Sequence, residues 1–196
     1  MQLNIANAVW AQQGHPFLPE YLDLLAMNYG AGLHQSDFTT QAEPTRKEIN
    51  GWVSDQTKER IPELVPAGAI NPSTRMVLVN AIYFYADWWI QFNPNDTHPA
   101  PFHLLDGTEV QVDSMSNHLF LPYARGENYQ AVELPYAGQS AAMDIILPDE
   151  GQFEAVAARL DWPAVEGIIN NLQTQEMQLR MPKFTFSSQF DLAKQL

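Results

Sequence analysis

The sequence has no cysteine, so neither a disulfide framework nor a thiolate metal site can form. Basic residues are scarce. Ten Lys and Arg stand against twenty-three Asp and Glu, a formal net charge of −13. Phosphate binding needs clustered cations, so this balance argues against nucleic acid and against anionic membrane surfaces as partners. No apolar run approaches the roughly 20 residues of a membrane span. Met1 is followed by Gln2, Leu3 and Asn4, with no basic segment and no long apolar one, so no signal peptide is expected on this chain. His15, His34, His98, His103 and His118 fall in no metal-ligand spacing. Gly-x-Ser-x-Gly, the phosphate loop and the dinucleotide fingerprint are all missing. No carboxylate pair stands out as catalytic. The expectation is a protein with no catalytic residue, no metal and no cofactor. Internal repeats and low-complexity segments are lacking as well.

What is present is an ordinary globular composition, 45% hydrophobic over 196 residues, which suits one domain. Leu3 to Trp10 is apolar enough for a strand, ended by Gly14 and Pro16. Tyr21, Leu22, Leu24, Leu25, Ala26 and Tyr29 form a helical stripe from Pro19 to Tyr29, closed by Gly30 and Gly32. Pro44 suits the first position of a second helix. Behind it Ile49, Trp52, Val53 and Ile61 continue at helical spacing, with Trp52 as the anchor of that helix. Met76 to Tyr85 is β-branched and aromatic with apolar residues in both phases. Such a strand is expected to be central and covered on both faces. Asn80 is a polar side chain in its middle and needs a hydrogen-bond partner if buried.

Asp106-Gly107 between Phe102–Leu105 and Thr108–Val112 signals a hairpin. A second hairpin pairs Ala131–Pro135 with Ala142–Leu147. A helix over Phe153–Leu160 follows, then a short one capped by Asp161 with Pro163 near its start. Met177, Leu179 and Met181 alternate, and Phe184 and Phe186 take the opposite phase, which predicts a bend or bulge at Pro182-Lys183. This mixture of helices and hairpins predicts an α+β fold with mixed sheets and surface helices.

Asn80-Ala81-Ile82-Tyr83-Phe84, followed by Trp88, Phe92 and Thr97, resembles the signature of the serpin superfamily of serine protease inhibitors. The likeness extends to Ile5-Ala6-Asn7-Ala8, Asp37-Phe38, Ile49-Asn50-Gly51-Trp52-Val53 with Thr57, Glu133-Leu134-Pro135-Tyr136 with Gly138 and Met143, Leu147-Pro148, and Pro182-Lys183-Phe184 with Leu192. These motifs stand in the family's order nearly end to end. Tyr85-Ala86 replaces a usual Lys-Gly, Ala142 a usual Ser, and Asp113, Ser114 and Met115 a usual Pro-Met-Met. The last departure is expected to alter the small sheet to which Val112 belongs.

The resemblance implies that residues 1–196 are a partial serpin domain, a single domain that lacks the early helices before Leu3 and the reactive-centre loop after Leu196. It implies an inhibitor consumed by its target rather than an enzyme. The partner is then a serine or, less often, a cysteine protease, which cleaves the loop. The loop inserts into the large sheet beside Met76–Tyr85. Asn80 would belong to the polar cluster that controls sheet opening, the shutter, and Trp88 to the breach, where insertion begins. Trp89 points the other way and has no role. The alternatives are a core asparagine and a packing tryptophan with no such part. No inhibitory reactive centre lies in this chain. The full-length domain is expected to be a monomer, extracellular or secreted. The competing readings are a non-inhibitory binding protein and an inactive truncated fragment. An isolated 196-residue product is expected to be unstable or to aggregate, because the edge beside Met76–Tyr85 would be bare.

Overall fold

The computed structural model of the chain describes residues 1–29, 32–186 and 188. The chain divides into two compact units, residues 1–86 and 87–196. Both mix strands and helices, as the α+β expectation requires.

The first unit is a three-stranded sheet in the order β2-β1-β3, with β1 at Gln2–Gln12, β2 at Gly32–Ser36 and β3 at Met76–Tyr85. β1 pairs parallel with β2 and antiparallel with β3 over ten residues. Two helices join them, α1 at Pro19–Tyr29 and α2 at Phe38–Gln56. Asp37 caps α2, accepting hydrogen bonds from the Thr39 and Thr40 amides at 3.1 and 3.2 Å. These two donors would otherwise lack an acceptor at the helix start. α2 kinks at Gln41, where φ is −128°. Pro44 therefore lies inside the helix, in the first turn after the kink, rather than at its first position. The missing Pro N–H is harmless there because the kink has already broken the hydrogen-bond ladder.

Ile49 and Val53 point from α2 onto one face of the sheet. They form a core with Ala8, Trp10, Phe38, Ile70, Val79 and Ala81. Trp52 is half-buried and meets Trp10 edge-on at 5.2 Å, and His34 stacks on the other side of Trp10 at 4.6 Å. Trp52 thus anchors its helix as expected.

Ile61 is not helical. The helix ends at Gln56 and the chain reverses through Lys58 and Glu59, both at positive φ. Thr57 drives that reversal. Its hydroxyl donates to the Val53 carbonyl at 2.8 Å and accepts the Ile61 amide at 3.1 Å. The chain then runs back along α2 toward β3 as a strap. Buried Asn50 holds it, accepting the Leu64 and Val65 amides and donating to the Val65 carbonyl. Buried Arg46 donates to the same carbonyl and to Glu43 and Glu63, each at 2.8 Å.

The second unit is a five-stranded sheet. β4 (Thr97–His103), β5 (Glu109–Gly126), β6 (Tyr129–Pro135) and β7 (Ala142–Pro148) follow one another, and β8 (Gln173–Pro182) pairs with the middle of β5. Both expected hairpins are present, β4–β5 around Gly107 at φ +82° and β6–β7 with Pro135 opposite Ala142. β5 has 18 residues. It pairs with β4 at one end, β8 in the middle and β6 at the other end, so one strand organises the unit. Asp113, Ser114 and Met115 continue β5 without a break.

Leu119, Leu121, Val132, Leu134 and Met181 form the core of this unit, with Met177 and Leu179 against it. Two short helices follow β7, α3 at Phe153–Ala157 and α4 at Trp162–Asn170. α3 stops before Leu160. Asp161 caps α4 by accepting the Ala164 amide at 2.9 Å, and Pro163 stands in its first turn. β8 ends at Pro182, so Phe184 and Phe186 lie beyond the strand, exposed and stacked on one another at 6.1 Å. There is no bulge because the strand itself stops. Leu192 lies outside the described residues.

Candidate functional site

The two residues singled out from sequence fall in different units. Asn80 lies mid-way along β3, and the environment differs from the one expected. β3 is not covered on both faces. Val79 and Ala81 are buried against α2, while Leu78, Asn80 and Ile82 on the other face are exposed, Leu78 at 59% and Ile82 at 57%. Among the described residues β3 has one strand neighbour, β1, and is the outer strand of those three. Apolarity in both phases indicated two covered faces, and the described residues supply a cover for one.

Asn80 is paired. Its Nδ2 donates to Asn7 Oδ1 at 2.7 Å. Asn7 sits directly opposite it on β1, so the two amides form a cross-strand rung. The rungs on either side of that face are apolar, Ile5 with Ile82 and Val9 with Leu78. The result is a polar rung in an aliphatic surface. A carboxamide offers two donors and two acceptor lone pairs, so such a rung fixes register and can bond to a further element laid across it.

Asn7 was present in the sequence as another lone polar residue between Ala6 and Ala8. That signal equals the one at Asn80. What spacing does not supply is the register that brings the two together across 73 residues.

Trp88 lies just beyond β3 in the second unit. It is half-buried and stacks on Tyr136 at 4.9 Å with the planes 9° apart. The two residues also form a backbone bridge. The Trp89 amide donates to the Pro135 carbonyl at 2.9 Å and the Ala137 amide to Asp87 at 2.7 Å. Residues 87–89 are thereby laced to the turn after β6. Burial pushes the Tyr136 phenol up from its ordinary value. Trp89 is 53% exposed. Trp88, Trp89, Phe92, Leu119, Leu121 and Leu134 line a cavity of about 190 Å³. Its walls are aromatic and aliphatic apart from Gln139. No cluster of His, Cys, Asp or Glu suited to hold a metal is present among the described residues, and no helix among them is long and apolar enough to cross a membrane.

The family model described as serpin (serine protease inhibitor) matches residues 1–196. The chain belongs to the serpin family. The leukocyte elastase inhibitor of Xenopus tropicalis is 36% identical over 201 residues, a stretch covering 99% of this chain and 53% of the relative. The structure of ovalbumin from emu (Dromaius novaehollandiae) superposes with a TM-score of 0.94 at 28% identity, over 98% of this chain and 51% of that one. The loop-inserted structure of a cleaved ovalbumin mutant superposes at 0.91 with 27% identity, over 98% and 52%. This serpin chain spans about half the length of the curated relatives it matches. Asn7, Asn80, Trp88 and Tyr136 all lie within the matched stretch.

Proposed function

We propose that the full-length protein containing this chain is a suicide-substrate inhibitor of serine proteases, and less often of cysteine proteases. The observation that carries the reading is β3. It is a ten-residue strand, apolar in both phases, with one strand neighbour among the described residues. A reactive loop cleaved by the target would add beside it as a further strand, with backbone hydrogen bonds as the driving contacts. The similarity to a cleaved ovalbumin in loop-inserted form supports this, as does the relative named as an elastase inhibitor.

In this reading Asn80, joined to Asn7, is the shutter pair. It holds the sheet in register until a new strand arrives. Trp88, braced by Tyr136, stands at the breach. The reactive centre lies outside this chain, and residues 1–196 are one part of a single inhibitory domain, monomeric and secreted in its complete form. The protein is consumed by its target and turns nothing over.

The test is incubation of the full-length protein with serine proteases, followed by denaturing electrophoresis. A covalent complex that survives the detergent is the expected result. Digestion to fragments without a complex would remove inhibition and leave a non-inhibitory binding role. Asn80→Ala should change the partition between complex and cleaved product while leaving the cleavage site unchanged.

A further inference from the structure

The strap between α2 and β3 contains no helix or strand. From Lys58 to Ile70 only Ile61, Val65 and Ile70 turn inward against the core, and the other residues are exposed. Pro62 and Pro66 stiffen it. Its two ends are unlike. At the far end Asn71 closes a relaxed turn. Its side chain accepts the Ser73 amide at 2.9 Å, and its own amide donates to the Thr74 hydroxyl at 3.1 Å. At the near end Lys58 and Glu59 have φ of +52° and +62°. Left-handed backbone is unfavourable for residues that carry a Cβ, so the reversal is strained while the strap is seated.

The strap also has a definite side. Arg46, Asn50 and Thr57 follow one another along one flank of α2 and hold it there. Trp52 stands two residues from Asn50, on the opposite flank. There it meets Trp10 of β1, whose other face carries His34 of β2. The strap therefore lies on the β3 side of α2, where Ile61, Val65 and Ile70 share a core with Val77 and Val79. A strand added beside β3 would turn every second side chain toward this face, into the space that the strap occupies.

We infer that the strap is a clasp over the outer side of β3, and that it opens by itself, hinged at Lys58-Glu59, while α2 stays on the sheet. That this opening admits a new strand rests on the inhibitory reading. The Arg46–Glu63 pair and the Leu64 and Val65 amides on Asn50 hold the clasp shut. The strained reversal works against them. Segments with few buried contacts open locally without global unfolding, whereas Ile49 and Val53, both 0% exposed, keep α2 seated.

The experiment is amide hydrogen exchange on the full-length protein, read at Leu64 and Val65 in the strap and at Ile49 and Val53 in α2. The strap amides should exchange together and faster than the helix amides. Glu59→Gly relieves the strain, although it also loosens the open strap, and should slow Leu64 and Val65 by about threefold. Glu63→Ala removes an ion-pair partner at an exposed position and should speed both by about threefold. Neither variant should move Ile49 or Val53. Strap and helix amides exchanging at one rate, or faster strap exchange in Glu59→Gly, would overturn the independent clasp. With a target protease, Glu63→Ala should raise the fraction of protein trapped as complex and Glu59→Gly should lower it. Exchange that shifts as expected beside an unchanged fraction would overturn the gating. A parent that forms no complex with any protease removes the inhibitory reading and the gating with it, and the exchange rates alone then decide whether the clasp opens by itself.

Discussion

Asn50 does more than its position on a surface helix suggests. Its carboxamide makes three hydrogen bonds to the backbone at Leu64 and Val65, and the residue is 7% exposed. Truncation leaves two amides and a carbonyl short of a partner in a place where water enters poorly. We expect Asn50→Ala to cost about 3 kcal/mol, read as a fall in the urea midpoint of the full-length protein with the slope unchanged.

Arg46 beside it acts through charge. Hydrogen bonding to Arg46, and the charge of that guanidinium, hold the Glu43 carboxyl below its ordinary value near 4.5. A depressed carboxylate stabilises the fold above its unfolded pKa and loses that contribution as pH falls through the folded value. Glu43→Gln should therefore be less stable than the parent at neutral pH, and the deficit should shrink as pH falls through the lowered folded value. A difference that persists undiminished in acid would show that Glu43 acts through packing instead. Asn50 and Trp52 were both legible in the sequence as parts of a motif on a helix. The partners of Asn50 were not, because the strap at 60–66 has no periodicity and its course is set by the reversal at Lys58 and Glu59, where two non-glycine residues adopt positive φ.

Among the elements, hairpins were the most readable. Asp106-Gly107 and the residues around Gly138 mark turns whose chemistry is local, and both pairings follow from counting outward. β5 was harder to see. From Asp113 to Gly126 it carries polar residues, a proline and a histidine within an apolar run, and three different neighbours bury different stretches of it, so no single alternation runs its length. β3 misled in the opposite direction. Its second apolar phase reports a covering that the described residues do not contain, and it carries the amide pair at its centre. β4 treats its outer side differently. Among the described residues it too has one neighbour, but Pro99 and Pro101 stand in one phase of it, and proline removes donors that another strand would use. Replacing both with threonine should raise self-association of the protein, measured as light scattering at rising concentration. Unchanged scattering would mean that charge rather than proline guards that edge.

At the scale of the whole molecule the family and the fold class were legible from end to end, since the motifs span both units. The sheet partners of β3 were not, because strand neighbours depend on contacts distant in sequence. An isolated 196-residue product exposes Leu3, Ile5, Leu78, Ile82 and Phe84 on one face of its first sheet, an apolar surface of the kind that drives association. We expect such a product to melt broadly or to precipitate on heating, with scattering rising before the far-ultraviolet signal is lost. A sharp, reversible transition of a monomer would contradict this.

The aromatic triad of His34, Trp10 and Trp52 has an optical consequence. Two indoles 5.2 Å apart and 78° from coplanar couple their excited states, so the first unit should carry a circular dichroism couplet of its own. Trp162, 70% exposed on α4, should emit at the red end of the tryptophan range. Loss of the couplet and the colour of the remaining emission would then report separately on the two ends of the polypeptide, with no label attached to either.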